Sequence, residues 1–399
     1  MLNQLEQPAA PGKTAFLQLG FRPFFAGAAG FAVVSMLAWL VQYTFNIEWY
    51  QGTLPATSWH AHEMIYGYSL AVIAGFLLTA VKNWTGVQTL HHIPLLLLFL
   101  LWLAARILLA AGNHAPVALA AVADCLFIAL LVVAVAHPVI KVRQWKQMGI
   151  LSKLVLLLLS NVAFYAGVLG LLPDGIRIGL YSGVYLVMAL IFAMARRVLP
   201  FFIQNAVDEQ VTLKNRKWLD ISSLVLFLVF WIADIIEPDS LPVAVLAGIL
   251  CILHTLRLAD WFTPGTFRKP LLWVLYLGYA ALAAGFALKA AVYAAGVSPF
   301  LALHAFTYGG IGLFTLGMMA RVTLGHTGRN VFEPPALMAW MFSGLLAGVA
   351  VRVLFPLFDP QHYSLWMGLS QLFWIGAFFL FLSSCLPMLI RPRIDGRPG

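Results

Sequence analysis

The sequence predicts an all-α polytopic membrane protein of twelve transmembrane helices, and three observations predict it. Only 10% of the 399 residues are charged and 62% are hydrophobic, whereas a soluble domain carries roughly a quarter charged residues. Apolar runs long enough to cross about 30 Å of hydrocarbon recur from end to end. The segments between them are too short to fold alone, so residues 1–399 read as a single integral membrane domain.

The runs fall at about 23–45, 60–81, 92–112, 116–136, 153–172, 177–199, 218–236, 241–261, 271–296, 299–322, 335–357 and 364–390. The first is too long for a signal peptide and has no small-residue cleavage site, so it is expected to stay in the mature protein. The second starts within Trp59-His60-Ala61-His62-Glu63-Met64 and continues into IYGYSLAVIAGFLLTAV. The fourth carries Asp124 deep inside, with no evident partner in the sequence. In the eighth, Cys251 and His254 stand one turn apart, and the tenth is rich in glycine. Cys125, Cys251 and Cys385 all lie inside spans and give no disulfide framework.

The net charge of +9 is explained by its distribution, without nucleic acid as a partner. The N-terminal tail, the even-to-odd loops and the C-terminus, with their flanking turns, collect twenty of the 24 Lys and Arg; of the opposite loops, only one holds a cation, Arg177. This is the positive-inside pattern, and it sets both termini in the cytoplasm. Three cations remain inside spans three, nine and eleven: Arg106, Lys289 and Arg352, each roughly five to seven residues from the outer end. One alone would be explained by snorkelling to the headgroups. Three at one level point to a shared anionic partner.

Spans two and ten align without gaps when His62 is set on His304. Tyr66 then falls on Tyr308, Gly67 on Gly309, Gly75 on Gly317, Thr85 on Thr327 and Gly86 on Gly328. Span six reads as a weaker third copy, with Met194-Ala195-Arg196 on Met319-Ala320-Arg321 and no histidine. Copies four helices apart are the pattern of a pseudo-threefold repeat. At about 100° per residue, His60 and His62 point about 200° apart on a regular helix and need two different partners. Glu63 is the expected acceptor for the His60 ring. Gly309, Gly310, Gly312 and Gly317 leave span ten a bare flank, suited either to close helix packing or to the approach of a flat macrocycle.

A lone intramembrane histidine is most simply a hydrogen-bonded core residue. For the pair, a b-type haem accommodates more of the pattern: iron takes an imidazole from each side, the ring needs an aromatic-rich apolar slot, and propionates need cations near the membrane edge. The expected ligands are His62 and His304, with Arg106, Arg352 and Lys289 at the propionates and Tyr66 and Tyr308 beside the ring.

The stretches Leu19-Gly20-Phe21-Arg22-Pro23-Phe24-Phe25, Trp59-His60-Ala61-His62-Glu63-Met64, His304-Ala305-Phe306-Thr307-Tyr308-Gly309, Met319-Ala320-Arg321 and Gly325-His326-Thr327-Gly328-Arg329 resemble the hallmark segments of the NnrS family. The resemblance covers the whole chain. It implies a polytopic bacterial membrane protein containing haem and copper and associated with nitric-oxide response, nitrosative stress and denitrification. The arrangement also resembles the catalytic subunit of haem-copper oxidases and nitric-oxide reductases, whose twelve spans form a pseudo-threefold bundle with a low-spin haem between spans two and ten. That fold places its second metal on spans six and seven, where this chain has no histidine. Candidate copper ligands are instead His60 with Glu63, Cys251 with His254, or Met318 and Met319 with His326, each set against a plain packing role.

Two functions follow as expectations. The first is a haem protein that binds nitric oxide or turns it over as an oxidoreductase, its electron donor unknown because the chain has no C-x-x-C-H motif. The second is a transporter of a metal, haem or an anion, with the buried charges lining the path.

Overall fold

The computed structural model describes residues 15–397, and among these there is no strand. The N-terminal tail that enters the charge count lies outside the described residues. Twelve helices are long and apolar enough to span a membrane: α1 (Phe21–Thr44), α2 (Ala56–Thr85), α3 (His92–Ala110), α4 (Val117–Lys141), α5 (Trp145–Val168), α6 (Gly175–Ala206), α7 (Lys217–Ile236), α8 (Leu241–Asp260), α9 (Pro270–Ala295), α10 (Pro299–His326), α11 (Ala336–Phe358) and α12 (Pro360–Ile390). The clearest shift from the sequence reading is α5, expected over 153–172. Lys153 lies inside the helix, its ammonium donating to the Gly149 carbonyl at 2.9 Å, and the chain turns at Gly170 with φ +73°, a conformation that favours glycine.

Burial divides the helices into a centre and a periphery. In α2, α6 and α10, 83%, 72% and 78% of the most apolar stretch is buried, against 28% in α7 and 33% in α3 and α4. Lipid tails are as apolar as leucine, so greasy helices gain nothing by hiding and small residues make the close contacts. α10 accordingly has the lowest hydropathy of the twelve, 1.3. Its glycine flank is filled by protein: a side-chain carbon at Gly317 would stand 2.7 Å from Val274 of α9, Gly310 packs on Leu282 of the same helix, and Gly312 faces Trp374 of α12.

The ring of helices closes between α1 and α12. Arg22, buried at the start of α1, donates through Nη1 to the carbonyls of Leu389 at 2.9 Å and Arg391 at 2.8 Å. These belong to the carbonyls that a helix end leaves without intrahelical donors. The Gly325–Arg329 turn holds the tail that follows: Ile394 N–H donates to the Thr327 carbonyl at 3.3 Å, and Arg393 Nη1 donates to the His326 carbonyl at 3.1 Å. Two of the segments that stand out in the sequence therefore join the two ends of the chain.

Four helices contain π-helical turns, at Leu40–Thr44 in α1, Glu63–Ser69 in α2, Ala305–Gly312 in α10 and Ala350–Leu354 in α11. In α2 and α10 the wide turn starts at the residue after the aligned histidine, His62 or His304. The correspondence between these helices thus extends to backbone shape.

Candidate functional site

All four π turns border one cavity of about 240 Å³ between α1, α2, α10, α11 and α12. Such turns are rare and concentrate at functional sites, because the wide turn redirects side chains that a regular helix would stack. Trp39, Tyr43, Tyr68, Tyr308, Tyr363 and Trp374 supply its aromatic wall. A second, more polar chamber of about 480 Å³ shares Trp39, Tyr43 and Thr57 and adds Gln42, Asn46 and Ser364.

Three basic side chains line the inner cavity: His60, His304 and Arg352. His304 Nδ1 lies 2.7 Å from the Phe300 carbonyl one turn back, so Nδ1–H is the donor and Nε2 keeps its lone pair. Arg352 Nη2 approaches that Nε2 at 3.1 Å, and Nη1 reaches the Tyr363 hydroxyl at 3.3 Å. Arg352 is only 3% exposed, yet it forms no ion pair among the described residues. His60 stacks flat on Trp39, centroids 4.5 Å apart at 5°, and its Nδ1 is buried without a partner.

His62 is elsewhere, and the expected His62–His304 pair is corrected accordingly. Both belong to helices at the centre of the bundle, but the His62 ring stacks on Phe164 of α5 at 4.3 Å. Its Nδ1 lies 3.2 Å from Glu63 Oε1 and its Nε2 2.9 Å from Asn161 Oδ1 and 3.3 Å from Asp124 Oδ2. With acceptors at both nitrogens, neither is free for iron. His60 and His62 do diverge, as the regular helix over Ala56–His62 requires. Glu63 sides with His62 rather than His60, because a buried guanidinium claims it: Arg106 reaches Glu63 Oε1 at 2.6 Å and Asp124 Oδ1 at 2.5 Å. A bare buried charge costs more than an unpartnered neutral imidazole. Tyr66 belongs to the same wall, its hydroxyl donating to the Gly179 carbonyl at 2.7 Å. The loop between α1 and α2 covers this cluster, and the Tyr50 hydroxyl there is pushed up to about 12 by burial and then by the charge of Glu63.

Lys289 forms a third cluster, at 2.7 Å from both Asp234 and Asp239, and Tyr185 donates to Asp234 at 2.5 Å. The expected convergence of the three cations on one pocket therefore fails: two close on carboxylates and Arg352 alone faces the cavity. The sequence reading named Asp124 as the other intramembrane charge and passed over Asp234, although both could have been paired with a cation at similar depth. Trp39, Tyr43, Tyr68 and Tyr363 carry no signal in the sequence: Tyr43 and Tyr68 lie in π turns, which no periodicity marks in advance, and Trp39 and Tyr363 join the wall only through helix packing.

The copper candidates are not gathered into a metal cluster, and among the described residues no three His, Cys, Asp or Glu side chains form one. His254 stacks between Phe192 at 4.3 Å and Phe286 at 5.5 Å. Met318 lines a separate cavity of about 60 Å³ whose lining is apolar but for Thr315, Met319 is buried in the core, and His326 packs on Phe21 at 5.6 Å. Tyr308 lines the main cavity, with its hydroxyl donating to the Ser370 carbonyl at 2.8 Å.

No curated protein matches the chain. The model of the family described as NnrS protein does match, over residues 15–393, and the chain, a multi-pass membrane protein by its twelve spans, belongs to the NnrS family.

Proposed function

We propose that this chain is a membrane haem protein of the bacterial inner membrane that binds nitric oxide, in protection against nitrosative stress or in denitrification, with a b-type haem seated by His304 and His60 in the cavity between α1, α2 and α10–α12. The observation that carries the reading is Arg352, a buried guanidinium without a carboxylate, beside two imidazoles in an aromatic cavity. The donor set fits such a group once Arg352 turns from His304 Nε2 to a carboxylate, which frees that nitrogen's lone pair. The His304 ring is oriented by an Nδ1–H bond to a backbone carbonyl, the usual way a ligating histidine is fixed. The inner cavity, about 240 Å³, is just below the range of about 300–1,000 Å³ typical of small-molecule sites, and the polar chamber behind Trp39 and Tyr43 extends it.

When bound, haem would supply an iron centre able to take imidazole and a diatomic gas. The chain's own residues hold and orient it. Arg352 offers a paired N–H fork to a carboxylate, and the aromatic wall excludes water. Nitric oxide, being apolar, partitions into lipid and meets such a site there. Copper is left out of this reading for want of a ligand cluster among the described residues. The alternative, a transporter, is not the reading favoured by this cavity, because Arg106 and Lys289 sit in ion pairs outside it.

The test is spectroscopic. Full-length protein purified from haem-replete cells should show a Soret band, with sharp α and β bands on reduction, and nitric oxide should shift them. His304→Ala and His60→Ala should each lower haem per folded protein, and His62→Ala should not. Folded protein without a Soret band would sink the reading.

A further inference from the structure

At the end of the bundle where Ala15 meets Ile390, a further cavity of about 200 Å³ lies between α5, α6, α7 and α8. Lys153, Arg196, Arg197 and Arg257 line it, against one carboxylate, Asp220. Asp220 is already divided between Arg196 at 2.8 Å and Arg257 at 2.9 Å. Lys153 and Arg197 have only neutral acceptors: the Gly149 carbonyl for one, the Gln147 side chain at 2.8 Å and the Lys146 carbonyl for the other. Four cations against one carboxylate leave a formal excess of three positive charges around one opening. Basic flanks are normal at this end of a membrane protein, so charge alone decides nothing.

The floor of the cavity decides more. Arg257 Nη1 donates to the Tyr279 oxygen at 3.1 Å, and the Tyr279 hydroxyl stands 2.7 Å from His254 Nδ1. A guanidinium can only donate, so the tyrosine oxygen accepts from Arg257, and His254 Nδ1 is the one acceptor among the described residues within reach of its proton. Satisfying that hydroxyl puts the His254 proton on Nε2. His254 is 1% exposed, and Nε2 has no partner among the described residues. The site therefore combines surplus positive charge with a buried, unmatched N–H donor, and what it lacks is an acceptor carrying negative charge.

We propose that this cavity binds a phosphate group, from the headgroup of an anionic phospholipid or from a soluble phosphate compound. Basic pockets between membrane helices at this end are suited to lipid headgroups. Phe227 and the exposed Leu224 on its α7 wall give an ester or acyl chain an apolar path to the bilayer. The site is separate from the aromatic cavity and does not depend on haem.

The test uses the full chain in neutral nanodiscs. Thermal unfolding is followed with inorganic phosphate added, or with phosphatidylglycerol replacing phosphatidylcholine, and retained lipids are counted by native mass spectrometry. Lys153→Gln with Arg197→Gln removes two edge cations that make no ion pair, so folding should survive. Exposed Arg216, paired with Asp260 outside the cavity, supplies the control: Arg216→Gln loses one charge at the same end. Stabilisation by phosphatidylglycerol with one extra retained lipid identifies the lipid source. Saturable stabilisation by phosphate in neutral discs identifies a soluble one. In either case the double variant should bind about tenfold more weakly or worse, with Arg216→Gln unchanged. No response to either probe, or equal responses in wild type and double variant, would overturn the proposal.

Discussion

Arg106 and Arg352 follow the aligned histidines at nearly the same interval, yet their surroundings give them opposite roles. Arg106 is enclosed by Glu63 and Asp124, with His62 set between the carboxylates. Replacing it with Met would leave two buried carboxylates facing each other, and removing one partner of a buried pair costs about 3–5 kcal/mol. Arg106→Met should therefore lower the unfolding temperature sharply. Arg352 has no ion-pair partner among the described residues and faces a cavity, so Arg352→Met should leave the haem-free protein as stable or more stable. It should instead weaken haem retention or lower the haem reduction potential, because a nearby positive charge favours the more electron-rich reduced state. Thermal unfolding and redox titration of both variants check the contrast, and equal destabilisation without any haem effect would remove Arg352 from the site. The sequence showed these residues as three equivalent intramembrane cations. It could not show which had carboxylates, since Asp124 and Asp234 lie on other helices and pairing is decided only when the helices pack.

Between elements, glycine and backbone irregularity place the site. α10 packs against α9 through positions without side chains, Gly310 on Leu282 and Gly317 on Val274. Gly310→Val would force α10 away from α9 and should cost about 1–3 kcal/mol, as overpacking does, while Gly376, with open space around its α-carbon, should tolerate Ala with little change. Chemical or thermal unfolding would compare the two. The existence and order of all twelve helices were legible because hydropathy is a property of each segment by itself. The choice of His60 over His62 was only half legible. The helical angle showed that they must part, whereas the π turn starting at Glu63 and the aromatic partners on α1 and α5 decide which ring meets which wall. That information lies in neighbours far away in sequence.

At the scale of the whole molecule, the two ends differ in charge and in what they enclose. The polar chamber above the aromatic cavity opens among Gln42, Asn46 and Ser364, at the end opposite the termini. The basic cavity lies at the end where Ala15 N–H meets the Ile390 carbonyl at 2.8 Å. Positive loops are retained in the cytoplasm during insertion, so the basic end should face inward and the aromatic cavity should lie toward the outer leaflet. This predicts a labelling pattern. Cys125, Cys251 and Cys385 carry no disulfide and can be replaced by Ser or Ala, after which single cysteines are introduced at exposed loop positions. In intact spheroplasts a membrane-impermeant maleimide should label Asn113→Cys, between α3 and α4. It should reach Glu209→Cys, between α6 and α7, only after the membrane is broken. The reverse pattern would invert the orientation and place the aromatic cavity on the cytoplasmic side. Labelling of both in intact cells would show that the charge asymmetry does not fix a single topology.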